Sequence, residues 1–169
     1  IGVDIATQIK TMDSTLSPDM ISAGIKAVFN NSSKMDSETA NAFLMEYFTV
    51  RKPAKNKQAS QDFLDNIVKT NPNAKQPESG LVYAILEEGS DVHATNDADV
   101  VSVMYEGKTK EGKVFDSSIE RGDTIDFPLN GVIKGWGEGM KLVGKGGRIK
   151  LYIPSDLAYG EQGQPYAGI

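Results

Sequence analysis

The chain contains no cysteine among its 169 residues. Disulfides and thiolate chemistry are therefore excluded. It has one histidine, His93, so neither a Ser/His/Asp triad with a second base nor a multi-histidine metal site can be assembled. That histidine lies in the polar stretch Gly89 to Asp99 and reads as a solvated residue. No segment approaches the roughly 18–20 apolar residues that a membrane helix needs. The opening Ile1-Gly2-Val3-Asp4 runs directly into an amphipathic pattern, not a signal-peptide pattern. A net charge of -5 leaves no basic surplus for a phosphate backbone, which argues against nucleic acid as the main partner. What remains, 39% apolar and 24% charged, is the composition of an ordinary globular protein.

Glycine is scarce in one part of the chain only. Residues 1–79 hold Gly2 and Gly24, whereas residues 80–169 hold the other 15. Charge divides at the same place: 9 Lys/Arg against 9 Asp/Glu before it, 9 against 14 after it. Helix interiors disfavour glycine and tight turns between strands require it, so residues 1–79 are expected to be helical, and 80–169 to be strands and turns. The join is Asn71-Pro72-Asn73-Ala74-Lys75-Gln76-Pro77, with two prolines and two asparagines.

In the first part, Ile1, Ile5, Ile9 and Met12 recur at helical spacing. Ser17-Pro18 reads as an N-cap followed by proline in the first turn, ahead of a stripe of Ile21, Ile25, Val28 and Phe29. Asp36 or Ser37 caps a third helix with Ala40, Phe43, Leu44, Tyr47 and Phe48 on one face. Pro53 is expected to break or kink it near Arg51. Ala59, Phe63, Leu64, Ile67 and Val68 mark a fourth, stopping at Asn71-Pro72. Helices this short make a poor core alone. They pack on one another, on the second part, or on a second copy of themselves.

The second part alternates with period two. Leu81, Tyr83 and Ile85 share one strand face, and Val101, Val103 and Tyr105 share another. Lys110 to Lys113 forms a turn before Phe115, Ile125 and Phe127 alternate again, and Lys145-Gly146-Gly147 precedes a strand from Arg148 to Ile153. Val132 to Leu142 is the one plausible helix. The expected fold is α+β: a helical region followed by an antiparallel sheet with one short helix against it.

Two glycine motifs fail on inspection. Gly139 to Lys145 spells most of a phosphate-binding loop, but Gly146 stands where a Ser or Thr must hold magnesium, and a helix, not a strand, precedes it. Gly135, Gly137 and Gly139 lack the βαβ setting of a dinucleotide loop. The large residues Tyr105, Phe115, Phe127, Val132, Ile133, Trp136 and Tyr159 are more telling. An aromatic core is the ordinary explanation for such a set. These, however, are interrupted by glycine and polar residues and fall at strand ends and in loops, where side chains line clefts.

Val103-Met104-Tyr105-Glu106-Gly107, Gly112-Lys113-Val114-Phe115-Asp116-Ser117-Ser118, Gly131 to Gly139, Ile153-Pro154 and Leu157-Ala158-Tyr159-Gly160 follow one another in an order and spacing that resembles the FKBP-type peptidyl-prolyl cis/trans isomerases. The resemblance covers about 90 residues, 80–169. The first part resembles, in layout and helix stripes, the helical dimerisation region of bacterial two-domain members: macrophage infectivity potentiators and periplasmic isomerase-chaperones. The resemblance implies a helical dimerisation domain and linker over 1–79 and an isomerase domain over 80–169. It implies a homodimer through residues 1–50 and a place in the Gram-negative envelope, in the periplasm or at the outer membrane. The partners it implies are proline-containing unfolded or partly folded proteins, with tacrolimus- or rapamycin-type macrolides as inhibitors. No cofactor or metal is expected. Family members close their sheet with one more interior strand, so a continuation beyond Ile169 or a strand donated by another chain is expected. The stretch Glu161 to Ile169 is longer than in compact members.

Residue by residue, the resemblance makes Trp136 the floor of a prolyl pocket. Tyr105, Phe115 and Phe127 are its walls, and Val132 and Ile133 its rim. The Ile133 N–H and the Tyr159 hydroxyl donate to carbonyls of a bound peptide, and Asp116 sits at the edge, bonded to neighbouring tyrosines or to substrate. Such a site needs no nucleophile. An X-Pro bond rotates over a barrier of about 18–20 kcal/mol because amide resonance must be lost, and a water-poor pocket disfavours the polar planar form. The competing reading is a peptide-binding chaperone on the same fold with little activity. Retention of the aromatic floor and of the pocket Asp and Tyr favours the enzyme.

Overall fold

The computed structural model describes residues 1–13, 16–160 and 163. The chain divides into two compact units, Ile1–Thr49 and Val50–Ile169. Among the described residues, no helix is long and apolar enough to cross a membrane.

The first unit is helical. It comprises α1 (Gly2–Met12), α2 (Pro18–Phe29) and α3 (Ser37–Glu46). The expected caps form: the Ser17 hydroxyl accepts from the Met20 N–H at 3.4 Å, and the Asp36 carboxylate from the Thr39 N–H at 2.7 Å. Each satisfies a first-turn donor that the helix itself cannot. The Asp13 carboxylate, 7% exposed, accepts from the Tyr47 hydroxyl at 3.0 Å. None of these three helices buries a residue. Phe29 is 82% exposed, Met20 73% and Val28 64%.

A π-helical turn, Tyr47–Arg51, precedes α4 (Lys52–Thr70). Pro53 lacks the N–H that an α-helix would return to Thr49, and its ring crowds that carbonyl. The wider turn just upstream is the local form taken by the expected disruption. α4 ends at Asn71, as the Asn71-Pro72 pair requires.

The second unit contains β1 (Val82–Glu87), β2 (Val100–Val103), β3 (Glu106–Lys108), β4 (Val114–Ser117), α5 (Ser118–Arg121), β5 (Ile125–Pro128), α6 (Lys134–Met140) and β6 (Arg148–Tyr152). All strand pairs are antiparallel: β1 with β6, β2 with β5, and β3 with β4. The helix expected over Val132 to Leu142 is α6. Three of its seven residues are buried glycines, and it lies against β6. The α+β architecture is thus a helical N-terminal region followed by an antiparallel sheet with a short helix on it.

Two local expectations need correction. α6 has company, because Ser118–Arg121 forms a one-turn helix capped by Ser117, whose hydroxyl accepts from the Glu120 N–H. β1 is buried on both faces: besides Leu81, Val82 and Ala84 are essentially inaccessible. The reason is α4, which packs against β1 and places Phe63 6.2 Å from Tyr152 on β6. For the same reason residues 50–79 cluster with the sheet, so the spatial division falls earlier than the compositional join at Asn71 to Pro77. Leu64, 4% exposed, anchors α4 in the core.

The failed phosphate-loop motif has a packing role. A side chain on Gly144 would put Cβ 1.7 Å from the Ser90 carbonyl oxygen. The Gly144 N–H donates to the Glu88 carbonyl at 2.9 Å, and the Ser90 N–H to the Lys145 carbonyl at 3.0 Å. Here glycine lets two backbones touch.

Candidate active site

Tyr105 stands between β2 and β3, Phe127 on β5 and Trp136 on α6. Their rings meet edge to face. The centroid separations are 6.0 Å for Tyr105–Phe127, 5.2 Å for Tyr105–Trp136 and 5.2 Å for Phe127–Trp136. Edge-to-face pairs at 4.5–7 Å are the favoured aromatic geometry. All three residues are half-buried, so the cluster is a lining that still meets solvent.

Phe115 and Asp116 are successive residues of β4, and β3 lies beside them. Gly107 pairs with Asp116 across the ladder. A Cβ on Gly107 would sit 2.6 Å from Phe115 Cζ, so the Phe115 ring rests directly on the β3 backbone. The Asp116 carboxylate is held at both oxygens. The Tyr105 hydroxyl donates to Oδ2, and Arg121 Nη1 donates to Oδ1 at 2.7 Å. These donors, Tyr105 first and Arg121 second, hold the Asp116 carboxyl below its usual range. Burial, and then the bond to Asp116, push the Tyr105 hydroxyl above its ordinary value. Bonds to Asp116 and Tyr105 strengthen the Arg121 cation in turn. Both directions favour a neutral hydroxyl donating to an ionised carboxylate.

Val132 and Ile133 join the 3₁₀ turn Leu129–Gly131 to α6. The Ile133 carbonyl accepts from the Trp136 N–H at 2.9 Å and the Gly137 N–H at 3.1 Å. No described group accepts the Ile133 N–H. Tyr159 lies in the turn after Ser155–Leu157 and is 40% exposed. Its ring forms no aromatic pair with the cluster among the described residues, and its hydroxyl has no described acceptor. The stretch 161–169 lies outside the described residues, apart from Gly163.

The structure thus brings Tyr105, Phe127, Trp136 and Asp116 into one constellation. It sets Phe115 next to Asp116 on β4, and Val132 and Ile133 at the start of the helix that carries Trp136. Arg121 was missed. A signal existed: Ser117-Ser118-Ile119-Glu120 is a Ser-x-x-Glu capping pattern, which starts a helical turn and returns Arg121 to Asp116. An open cleft elsewhere, lined by Pro72, Asn73, Lys75, Tyr83, Ile85 and Glu88, has a largely polar lining unsuited to an apolar ring.

Strands and the short helix α6 bring three aromatic rings together beside a doubly tethered carboxylate. The comparisons with known proteins give this arrangement its family. Residues 92–169 match the profile of the FKBP-type peptidyl-prolyl cis-trans isomerase, and residues 1–85 that of the domain amino terminal to it. The chain belongs to the FKBP-type peptidyl-prolyl cis-trans isomerase family. It is 36% identical over 159 residues to the FKBP-type peptidyl-prolyl cis-trans isomerase FkpA of Escherichia coli, covering 89% of this chain and 58% of that one. It is 43% identical over 110 residues to the peptidyl-prolyl cis-trans isomerase Mip of Coxiella burnetii, covering 65% and 47%. The crystal structure of FkpA from Escherichia coli superposes with a TM-score of 0.67 at 33% identity, covering 97% of this chain and 82% of that one. The chain therefore spans about half to three fifths of the length of these two curated relatives.

Proposed function

We propose that the chain accelerates rotation about X-Pro peptide bonds in folding proteins, with the prolyl ring seated on Trp136 between Tyr105 and Phe127. The observation that carries this reading is the edge-to-face cluster of those three rings beside a doubly tethered carboxylate. The uncatalysed rotation takes tens to hundreds of seconds. Planar amide resonance separates charge, and the twisted transition state loses that charge. Aromatic walls solvate the planar form poorly and so lower the difference between the two states. Phe115 and Val132 close the sides, and the Ile133 N–H and Tyr159 hydroxyl hold the carbonyls that flank the proline. Interactions of this kind act catalytically when they fit the twisted amide better than the planar one. No proton has to move, which suits a site whose carboxyl is held ionised and whose phenol is held neutral.

The test is a protease-free fluorescence assay of cis-to-trans relaxation in a proline tetrapeptide. Relaxation should quicken in proportion to protein concentration, and tacrolimus or rapamycin should abolish the effect by occupying the same rings. Peptide binding without acceleration would establish the chaperone alternative in place of the enzyme.

Residues 1–50, in this reading, hold two copies together, and residues 80–169 carry the pocket. Support for the homodimer comes from the exposed large apolar side chains of α2, among them Met20, Val28 and Phe29, which a partner copy would cover. Light scattering should give twice the 18.3 kDa chain mass. A monomer at tens of micromolar, above the Kd of an ordinary specific dimer, would refute it. The clients are proline-containing unfolded or partly folded chains, and the compartment is the Gram-negative envelope, a placement that rests on the likeness to FkpA and Mip.

A further inference from the structure

Tyr105 is the aromatic ring of the cluster that bonds Asp116, yet it lies outside any strand, between β2 and β3. Its backbone is held chiefly by Ser118. The Tyr105 N–H donates to the Ser118 hydroxyl at 2.9 Å, and the Ser118 N–H donates to the Tyr105 carbonyl at 2.9 Å. The Ile119 N–H reaches the same carbonyl at 3.4 Å. Ser118 is 0% exposed, so water cannot take over either bond. At the far end of the side chain the hydroxyl is bound by Asp116, two residues before Ser118. The segment Asp116 to Ile119 therefore grips Tyr105 at both ends.

We infer that Ser118 is a positioning residue for the prolyl pocket: its hydroxyl fixes the Tyr105 backbone and through it the Tyr105 ring against Trp136 and Phe127. The catalytic part of this inference rests on the isomerase reading; the structural part does not. Removing the hydroxyl leaves the part-buried Tyr105 N–H without its acceptor, a penalised state. The short connection between β2 and β3 escapes it only by turning that N–H elsewhere, which carries the ring away. The neighbouring Ser117 supplies an internal control. It is also buried, 4% exposed, and its hydroxyl also accepts a backbone N–H, that of Glu120 at 3.1 Å. It serves α5 and not Tyr105.

The experiment compares Ser118→Ala with Ser117→Ala. Trp136 is the chain's one tryptophan, and its ring lies 5.2 Å from that of Tyr105, so near-UV circular dichroism and emission report the placement of Tyr105 directly. Both variants should lose similar thermal stability. Only Ser118→Ala should alter the Trp136 spectra. It should also lower kcat/KM about tenfold, within the roughly hundredfold that an ångström of misplacement can cost, and by clearly more than Ser117→Ala, whose lost cap reaches the pocket only through Arg121 and Asp116. If Ser118→Ala does not fold, Ser118→Cys keeps a weaker acceptor on the same carbon and should give an intermediate spectrum and rate. An unchanged Trp136 spectrum in the Ser118 variants, or equal changes in both serine variants, would overturn the inference. A wild-type chain that fails to speed relaxation would overturn the isomerase reading alone, and the Trp136 comparison would still decide whether Ser118 places the ring.

Discussion

Tyr105→Phe tests the tether at the pocket edge, because it keeps the ring and deletes only the donor to Asp116. The edge-to-face contacts with Trp136 at 5.2 Å and Phe127 at 6.0 Å need no hydroxyl and should survive. A hydrogen bond to a charged group contributes about 1.5–3 kcal/mol. Two observations reduce that value here. Asp116 keeps Arg121 at 2.7 Å, and its side chain is 40% exposed, so water replaces part of what is lost. An expected cost of about 1 kcal/mol at neutral pH follows.

The pH dependence of that cost fixes its origin. The Asp116 carboxyl is held below its ordinary value of 3.8, first by the Tyr105 hydroxyl and then by Arg121. A depressed carboxyl adds stability above the unfolded value and loses it as pH falls through the folded one. The Tyr105 hydroxyl is raised above its ordinary 10.0, first by burial and then by Asp116. Its contribution is complete below that ordinary value and is lost as pH rises through the folded one. The gap between wild type and Tyr105→Phe should therefore be full near pH 7 and shrink at both extremes. Thermal unfolding followed by Trp136 emission should show a difference of about 4 °C at pH 7 for about 1 kcal/mol in a unit of this size, and a smaller one at pH 3. An equal or larger difference at pH 3 would mean that the hydroxyl's partner is not an ionised Asp116, and the tether as described would be wrong.

Three further outcomes are expected. The kcat/KM for a proline peptide should be flat from about pH 6 to 8.5, because Asp116 is shifted down, Tyr105 is shifted up, and His93, with the one side chain type that ordinarily titrates there, lies in the loop between β1 and β2; a bell-shaped profile that disappears in His93→Gln would show that proton transfer matters. Gly144→Ala forces Cβ to 1.7 Å from the Ser90 carbonyl oxygen, a backbone atom that cannot rotate away, so denaturant unfolding should register a loss above about 3 kcal/mol, while Lys145→Ala beside it should stay within about 0.5 kcal/mol. Phe63→Ala should cost about 2 kcal/mol, less than a fully buried phenylalanine because its side chain is only half-buried against Tyr152; a change under about 0.5 kcal/mol would show that α4 does not share the stability of the sheet.

Features set by local chemistry were legible in the sequence. The caps at Ser17 and Asp36, the stop at Asn71-Pro72 and the shared face of Val101, Val103 and Tyr105 follow from one residue's neighbours along the chain. The aromatic site was legible for a different reason: its members come from separate elements, and the ordered motifs that hold them mark the family. What stayed hidden depends on which elements meet. The stripe of Phe63, Leu64 and Ile67 reads the same whether it faces other helices or a sheet, and only the contact with β1 and Tyr152 decides. Burial of Val82 and Ala84 on the second face of β1 has that same tertiary cause. Arg121 escaped because a one-turn helix has no periodicity to detect, although its Ser-x-x-Glu start was present.

The polar groups around the pocket differ from those of a proton-transfer site in one respect that the geometry makes plain. A general base is useful when its proton affinity is poised near the working pH. Here each shift runs the other way: the carboxyl is pushed down, the phenol up and the guanidinium up, so each member of the Tyr105–Asp116–Arg121 network is moved further from titrating near neutral pH. What such a network does well is hold a ring still. Tyr105 is bound at its hydroxyl by Asp116, at its backbone by Ser118 and on its ring by Trp136 and Phe127. A pocket that lowers a rotational barrier by shape gains from that rigidity, since walls that relaxed around the planar amide would stabilise the ground state as well as the twisted one. In the proposed isomerase reading, the charges at the edge of this site would act through the fixed placement of an uncharged ring.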